Sequence, residues 1–202
     1  MTDKKFGRVG LVARFKPVHI GHAALLESIC EDAEEVIIGI GSSNKYNPRN
    51  PFTVEETKDM IELVVKPKFS NYKIIEVPDF GDGPKWKEYV AQSYGPLDYF
   101  VTDNNYVKTL LEKDYRMIEP HRVIPACKHA PICASMVREE MARYGDWKSL
   151  VPSAVAEYLG NNGLVERFRK EFGLQILAGL SAPRDYKRHE DFQTEIKNTK
   201  QQ

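Results

Sequence analysis

From Gly7 to Ala126, short β-branched runs alternate with stretches of helical spacing, and that alternation leaves the chain few folds to choose from. GRVGLVA (7–13) reads as a buried strand. It breaks at Arg14-Phe15-Lys16-Pro17, and from Ile20 to Cys30 apolar residues recur at Ala23, Leu26 and Ile29. EEVIIGIGSS (34–43) is a second strand closed by Gly and Ser. YNPRNP (46–51) cannot continue it and reads as a turn-rich loop. A helix begins at Thr53, where Thr53 and Glu56 have capping-box spacing ahead of Met60, Ile61 and Val64. KIIEV (73–77) predicts a third strand, PKWKEYVAQSY (84–94) a helix opening on Pro84, DYFVT (98–102) a fourth strand, and Asn105 to Leu111 another helix. RVIPA (122–126) is the candidate for a fifth strand. From Ser135 the pattern is helical to Tyr158, interrupted near Gly145 and restarted at Pro152.

Strands alternating with helices imply parallel pairing through right-handed crossovers, hence a doubly wound α/β sheet. Ligands in that architecture bind beyond the carboxyl ends of the strands. A chain of 202 residues supports one substantial core. Lys+Arg and Asp+Glu balance at 29 each, so no overall positive field points to nucleic acid, and any anion site must be a local arrangement. Apolar stretches such as Val36–Ile40 are too short to cross a bilayer, and MTDKKFGRVG lacks the apolar stretch of a signal peptide. Cys30, Cys127 and Cys133 fit no zinc spacing and read as reduced thiols, which suits the cytoplasm. The segment from Ser181 to Gln202 is mostly polar and charged, either an interaction arm or a loosely packed extension.

Directly after the first strand stands Arg14-Phe15-Lys16-Pro17-Val18-His19-Ile20-Gly21-His22. Pro17 fixes a turn, and Gly21 removes a side chain where backbone must pass close to a ligand. Two imidazoles flank that glycine at a helix entry, where free N–H groups and the helix dipole favour anions. Arg14 adds a fork for a bidentate phosphate contact. An isolated H-x-G-H string occurs often. Between a buried strand and a helix, with Arg14 upstream, it describes a pocket for a polyphosphate whose charge grows in the transition state.

The surrounding text resembles the archaeal type of nicotinamide mononucleotide adenylyltransferase, within the HxGH nucleotidyltransferases. Matching pieces are GLVARFKPVHIGH, EEVIIGIGSS, RNPFTVEE, the lone Trp86 in a helix, ICASMVREEM and GDWKSLVP, in the family's order. The resemblance implies a Rossmann-like doubly wound sheet with C-terminal helices and a nucleotidyltransferase domain over 1–160; residues 161–202, expected as a C-terminal helix and polar tail, lie outside it. It implies ATP with Mg2+, transfer of AMP to nicotinamide mononucleotide (NMN), release of pyrophosphate, and a homo-oligomer. Three departures bear on substrate choice: Lys16 where an amide is usual, Thr57 where an Arg is common, and Cys133 in place of a hydroxyl residue.

Taken alone, Ser135 is a helix N-cap and Arg138 a solvated helix charge; the resemblance turns both towards the β- and γ-phosphates. Arg49, an exposed loop cation by default, becomes a phosphate ligand in the same way. Trp86 is a packing residue by default and stacks on the nicotinamide ring by resemblance. Trp147 reads as a core anchor. Asp103 and Asn104, past the fourth strand, hold adenine or ribose or simply form a turn. His121, His129 and His189 show no ligand spacing. The expected catalytic set is His19, His22, Arg14 and Arg138, with Lys16, Gly21, Arg49, Trp86, Asp103, Asn104 and Ser135 binding the nucleotides. A phosphate monoester is largely dianionic at neutral pH, with a second pKa of ~6, so its attack on the α-phosphorus needs no general base. The alternatives are an adenylyltransferase for pantetheine phosphate or FMN, and a regulator that binds nucleotide without turnover. The literal HIGH also occurs in class I aminoacyl-tRNA synthetases, but the KMSKS loop and the length they need are missing.

Overall fold

The computed structural model describes residues 4–181. Five strands form one parallel sheet: β1 (Phe6–Ala13), β2 (Ala33–Gly41), β3 (Tyr72–Val77), β4 (Tyr99–Val101) and β5 (Met117–Ile118), in the order β3-β2-β1-β4-β5. The order reverses at β1, so a crevice opens beyond the carboxyl ends of β1 and β4. Helices between strands are α1 (Ile20–Asp32), α2 (Val54–Val65), α3 (Gly83–Tyr94) and α4 (Asn105–Leu111), followed by α5 (Pro120–Val123). After them come α6 (Ala134–Ala142), α7 (Ser153–Asn161), α8 (Leu164–Phe168), a π-helical turn (Arg169–Gly173) and α9 (Leu174–Ser181).

Both faces of the sheet are covered, which is why its central strands are apolar on successive residues rather than on alternate ones. In β2, Val36, Ile38 and Ile40 join Leu26 and Ile29 of α1, Met60 and Ile61 of α2, and Val155 and Phe168 in one core. Ile37 points the other way, into a second core with Val90 and Tyr94 of α3, Phe100 of β4 and Leu111 of α4. Tyr94 lies against the sheet with its hydroxyl donating to the Leu11 carbonyl at 2.8 Å. It fits because positions 10 and 39, on neighbouring strands, are glycines: a Cβ at either would run into its ring or hydroxyl. Leu164, Val165 and Phe168 of α8 are buried in the first core. Trp147 is 5% exposed there, the core anchor its sequence context suggested.

Local signals set the helix starts. Thr53 and Glu56 form the capping box, with Thr53 Oγ1 accepting from the Glu56 N–H at 3.2 Å and the Glu56 carboxylate from the Thr53 N–H at 2.9 Å. Asp82 caps α3, with Pro84 in the first turn. The fifth strand is not RVIPA. Pro120 starts the helical turn α5 there, and Pro125 opens a 3-10 turn over Ala126–Lys128. The strand is instead Met117–Ile118, whose pairing with Phe100 and Val101 closes the sheet in two residues, too short a run for a periodicity to declare. Past Ser181, the polar tail lies outside the described residues. Among the described residues no helix is long and apolar enough to cross a membrane.

Candidate functional site

The chain leaves β1 through Phe15, a bulky residue held at φ 55, in the left-handed region. Such a backbone costs on the order of 1–3 kcal/mol and persists where neighbours over-determine it. Here Phe15 is fully buried, and its ring meets His22 with centroids 4.8 Å apart. The turn delivers His19 to the N-cap of α1. His19 Nδ1 accepts the His22 backbone N–H at 3.3 Å, and its carbonyl accepts from Ala23 N–H at 3.0 Å. An accepting Nδ1 carries no proton, so in the neutral ring Nε2 is the donor. The two imidazoles stack with centroids 3.6 Å apart. Gly21 has a further reason to be glycine: a Cβ would sit 3.2 Å from the His19 ring.

Burial first, and then the Arg138 charge, pushes His19 down to about 4. His22 is lowered well below the usual imidazole value by burial and by His19, against the Pro17 carbonyl, which raises it. Both rings are therefore neutral donors at pH 7. The buried Nδ1 of His22 has no hydrogen-bond partner. The depressed value of His19 makes folding stability depend on pH. Between 6.5 and about 4 the unfolded chain binds a proton that the folded His19 refuses. This stability is present above 6.5 and is lost as pH falls from there. Urea midpoints should drop from pH 7 to pH 5, and His19→Asn, which can keep the cap, should show a shallower drop; an identical slope removes His19 from the effect.

Arg138, 122 residues downstream of Lys16, closes the site from α6, its Nη1 donating to the Lys16 carbonyl at 2.8 Å. It is no solvated helix charge. The residue is 7% exposed, with Nε buried and unpartnered. Burial, then Arg14, lowers it to about 10. Arg14 is lowered by burial and then by Arg49. Lys16 is fully buried, its Nζ donating to the Ser42 carbonyl at 3.3 Å, and burial followed by Arg14 brings it down to about 8. The charge of Arg14 thus bears on Lys16 and Arg138 and that of Arg49 on Arg138, and among the described residues none of the four forms an ion pair with a carboxylate.

Ser135 is the second residue of α6 rather than its N-cap; that place belongs to Cys133, because the chain is still extended there, at φ −126 and ψ 158. The Cys133 sulfur lies 2.9 Å from the Ser135 hydroxyl. Burial raises this thiol, but the Ser135 hydroxyl and the N–H groups of Met136 and Ser135 outweigh that and lower it overall. Arg49 stands exposed in the loop after β2, where Asn47 Oδ1 accepts its N–H at 3.0 Å. Thr57 is fully buried, its hydroxyl donating to the Thr53 carbonyl at 2.6 Å.

Trp86, Asp103 and Asn104 share no hydrogen bond, ion pair or ring contact with the cation cluster among the described residues. Trp86 is half-buried in α3, packed on the second core. Asn104 caps α4, its Oδ1 accepting from the N–H groups of Tyr106 and Val107. Sequence reasoning missed Ser42 (φ 51), whose carbonyl takes the Lys16 amine, and Thr102, buried at the end of β4 with its hydroxyl accepting the Asn104 N–H at 3.1 Å. The Gly-Ser-Ser after β2 was the available signal for the first; nothing marked the second.

Residues 11–148 match the family model described as cytidylyltransferase-like. A nicotinamide-nucleotide adenylyltransferase of Methanolobus tindarius is 32% identical over 163 residues, covering 80% of this chain and 92% of the relative. That of Thermococcus kodakarensis is 35% identical over 167 residues, covering 78% and 85%. In fold, a bifunctional NMN adenylyltransferase/ADP-ribose pyrophosphatase of Francisella tularensis superposes with a TM-score of 0.67 at 18% identity over 88% of this chain, which spans 57% of that longer protein.

Proposed function

Because the chain belongs to the cytidylyltransferase-like family, and within it to the nicotinamide-nucleotide adenylyltransferases, we propose that it transfers AMP from ATP to NMN, forming NAD and pyrophosphate. The observation that carries the polyphosphate half of this reading is the group of Arg14, Lys16, Arg49 and Arg138 near the switch point of the sheet, none of them in an ion pair with a carboxylate among the described residues. Unpaired cations in a partly dry site await an anion.

The acceptor's 5′-phosphate attacks the α-phosphorus of ATP in line, and the bond to the β-phosphate oxygen breaks. Neutral His19 and His22 donate to oxygens of the reacting phosphates as negative charge shifts towards the leaving group. Arg14, Arg49 and Arg138 hold the outer phosphates, with Ser135 and the first turn of α6 beside them. Lys16 adds positive charge from behind the pocket. Catalysis then rests on positioning and charge stabilisation, with no covalent intermediate. Magnesium enters this reading with the MgATP substrate, where phosphate oxygens and water supply most of its ligands. Trp86 is the candidate stacking surface for the nicotinamide, and Asp103 and Asn104 the candidates for the adenosine.

Incubation with MgATP and a panel of NMN, nicotinic acid mononucleotide, pantetheine phosphate and FMN, read by pyrophosphate release, tests the assignment. NMN should give the highest kcat/KM. It should also quench tryptophan fluorescence, and Trp86→Phe should remove most of the quenching while Trp147→Phe lowers Tm instead. Turnover with pantetheine phosphate or FMN but not NMN overturns the acceptor; no turnover with any overturns the enzyme reading.

A further inference from the structure

The C-terminal helices reach back to the loop that carries Arg49. From α8, Arg167 donates in parallel to the two carboxylate oxygens of Glu56, at 2.6 and 2.7 Å, and to the Pro51 carbonyl at 3.3 Å. One turn later Glu171 accepts from the Tyr46 hydroxyl, and the Phe172 ring meets the Tyr46 ring edge-on with centroids 5.4 Å apart. The Arg167 guanidinium also lies 6.0 Å from the Tyr46 ring centroid. Tyr46 opens the loop and Pro51 ends it, so one helical segment grips both ends, with Arg49 between them.

The loop's own bonds do not do this. Asn47 Oδ1 accepts from the Arg49 and Asn50 N–H groups and from the Asn50 side chain, which fixes internal shape but not placement. Placement matters because Arg49 is an exposed cation whose charge acts on both Arg14 and Arg138 and disfavours theirs. An untethered loop would relieve that repulsion by moving away. The Glu56 carboxylate is already tied to the start of α2 by its bond to the Thr53 N–H, so Arg167 fastens onto a fixed point.

We infer that Arg167 is a positioning residue for phosphate binding: with Tyr46, Glu171 and Phe172 it clamps the 46–51 loop so that Arg49 stays beside Arg14 and Arg138 against their mutual repulsion. This rests on the reading of Arg49 as a polyphosphate ligand. It gives a role in the reaction to a residue beyond the stretch matched by the family model, 11–148.

The test is a double-mutant cycle on ATP binding, measured by calorimetry in the parent, Arg167→Met, Arg49→Ala and the double variant. Each single change should weaken ATP by ~10-fold, equivalent to about 1.4 kcal/mol, and the double should be no weaker than Arg49→Ala alone. Arg167→Lys should fall between Arg167→Met and the parent, since it keeps charge but loses the fork. Amide exchange over 46–51 should rise in Arg167→Met while α3 and α4 keep theirs. The same fold-loss from Arg167→Met in both backgrounds, or no loss at all, overturns the clamp. If Arg49→Ala itself leaves ATP binding unchanged, the phosphate reading of Arg49 fails and the clamp falls with it, a pattern distinct from the first two. Should Arg167→Met not fold, Tyr46→Phe, which removes only the Glu171 bond, runs the same cycle with a smaller expected effect.

Discussion

Replacing His22 with alanine should lower kcat by ~10²–10³, the scale seen when one preorganised donor to a developing oxyanion is removed. ATP affinity should change far less, because in the proposed mechanism the outer phosphates are held by Arg14, Arg49 and Arg138 and not by His22. The geometry behind this expectation is a neutral imidazole locked between Phe15 and His19, one of its nitrogens buried and unpartnered. An orphaned buried nitrogen costs stability in the free protein, and a protein retains it where a ligand completes it. Alanine also leaves a void beside Phe15, so Tm is measured in parallel, and His22→Asn, a smaller donor, should recover part of kcat. A variant that keeps most of its kcat takes His22 out of the mechanism.

This half of the site was readable because its residues are consecutive. Strand, turn, His19, Gly21 and His22 declare themselves within sixteen positions, as the segment from Gly7 to His22 shows. The Thr53–Glu56 box was readable for the same local reason. Arg138 was not, in one important respect. A charge on a short helix reads as solvated until the tertiary fold places it on the Lys16 carbonyl, 122 residues away, and buries it. Arg167 carried no signal at all, since its partners Glu56 and Pro51 lie 111 and 116 residues upstream. The two-residue β5 escaped because pairing with β4, and not any propensity of its own, makes it a strand.

Arg138→Ala should reduce kcat/KM by ~10-fold or more, equivalent to about 1.4 kcal/mol, and Arg138→Lys by less. Its burial sharpens the expectation for folding. Arg138→Met keeps the packed stem and removes a buried charge that forms no ion pair with a carboxylate among the described residues, so Tm should equal or exceed the parent's while activity falls. A solvated helix charge would leave activity intact and shift stability by at most ~0.5 kcal/mol. ATP should raise the Tm of the parent more than that of the variant. AMP, lacking the outer phosphates, should bind both alike. If AMP binding collapses as far as ATP binding does, Arg138 holds something other than the leaving pyrophosphate.

Tyr94 has a consequence for how this sequence can diverge. Its ring rests in a space left by glycines on two different strands, and its hydroxyl is satisfied by the Leu11 carbonyl on one of them. A methyl group added at position 10 or position 39 meets the ring, and shrinking the ring first leaves the space empty. Positions 10, 39 and 94 therefore form a ratchet: each single step leads downhill in stability, and only a concerted exchange crosses to another solution. Homologous chains should sort into those that keep all three and those that have replaced all three, with few intermediates between.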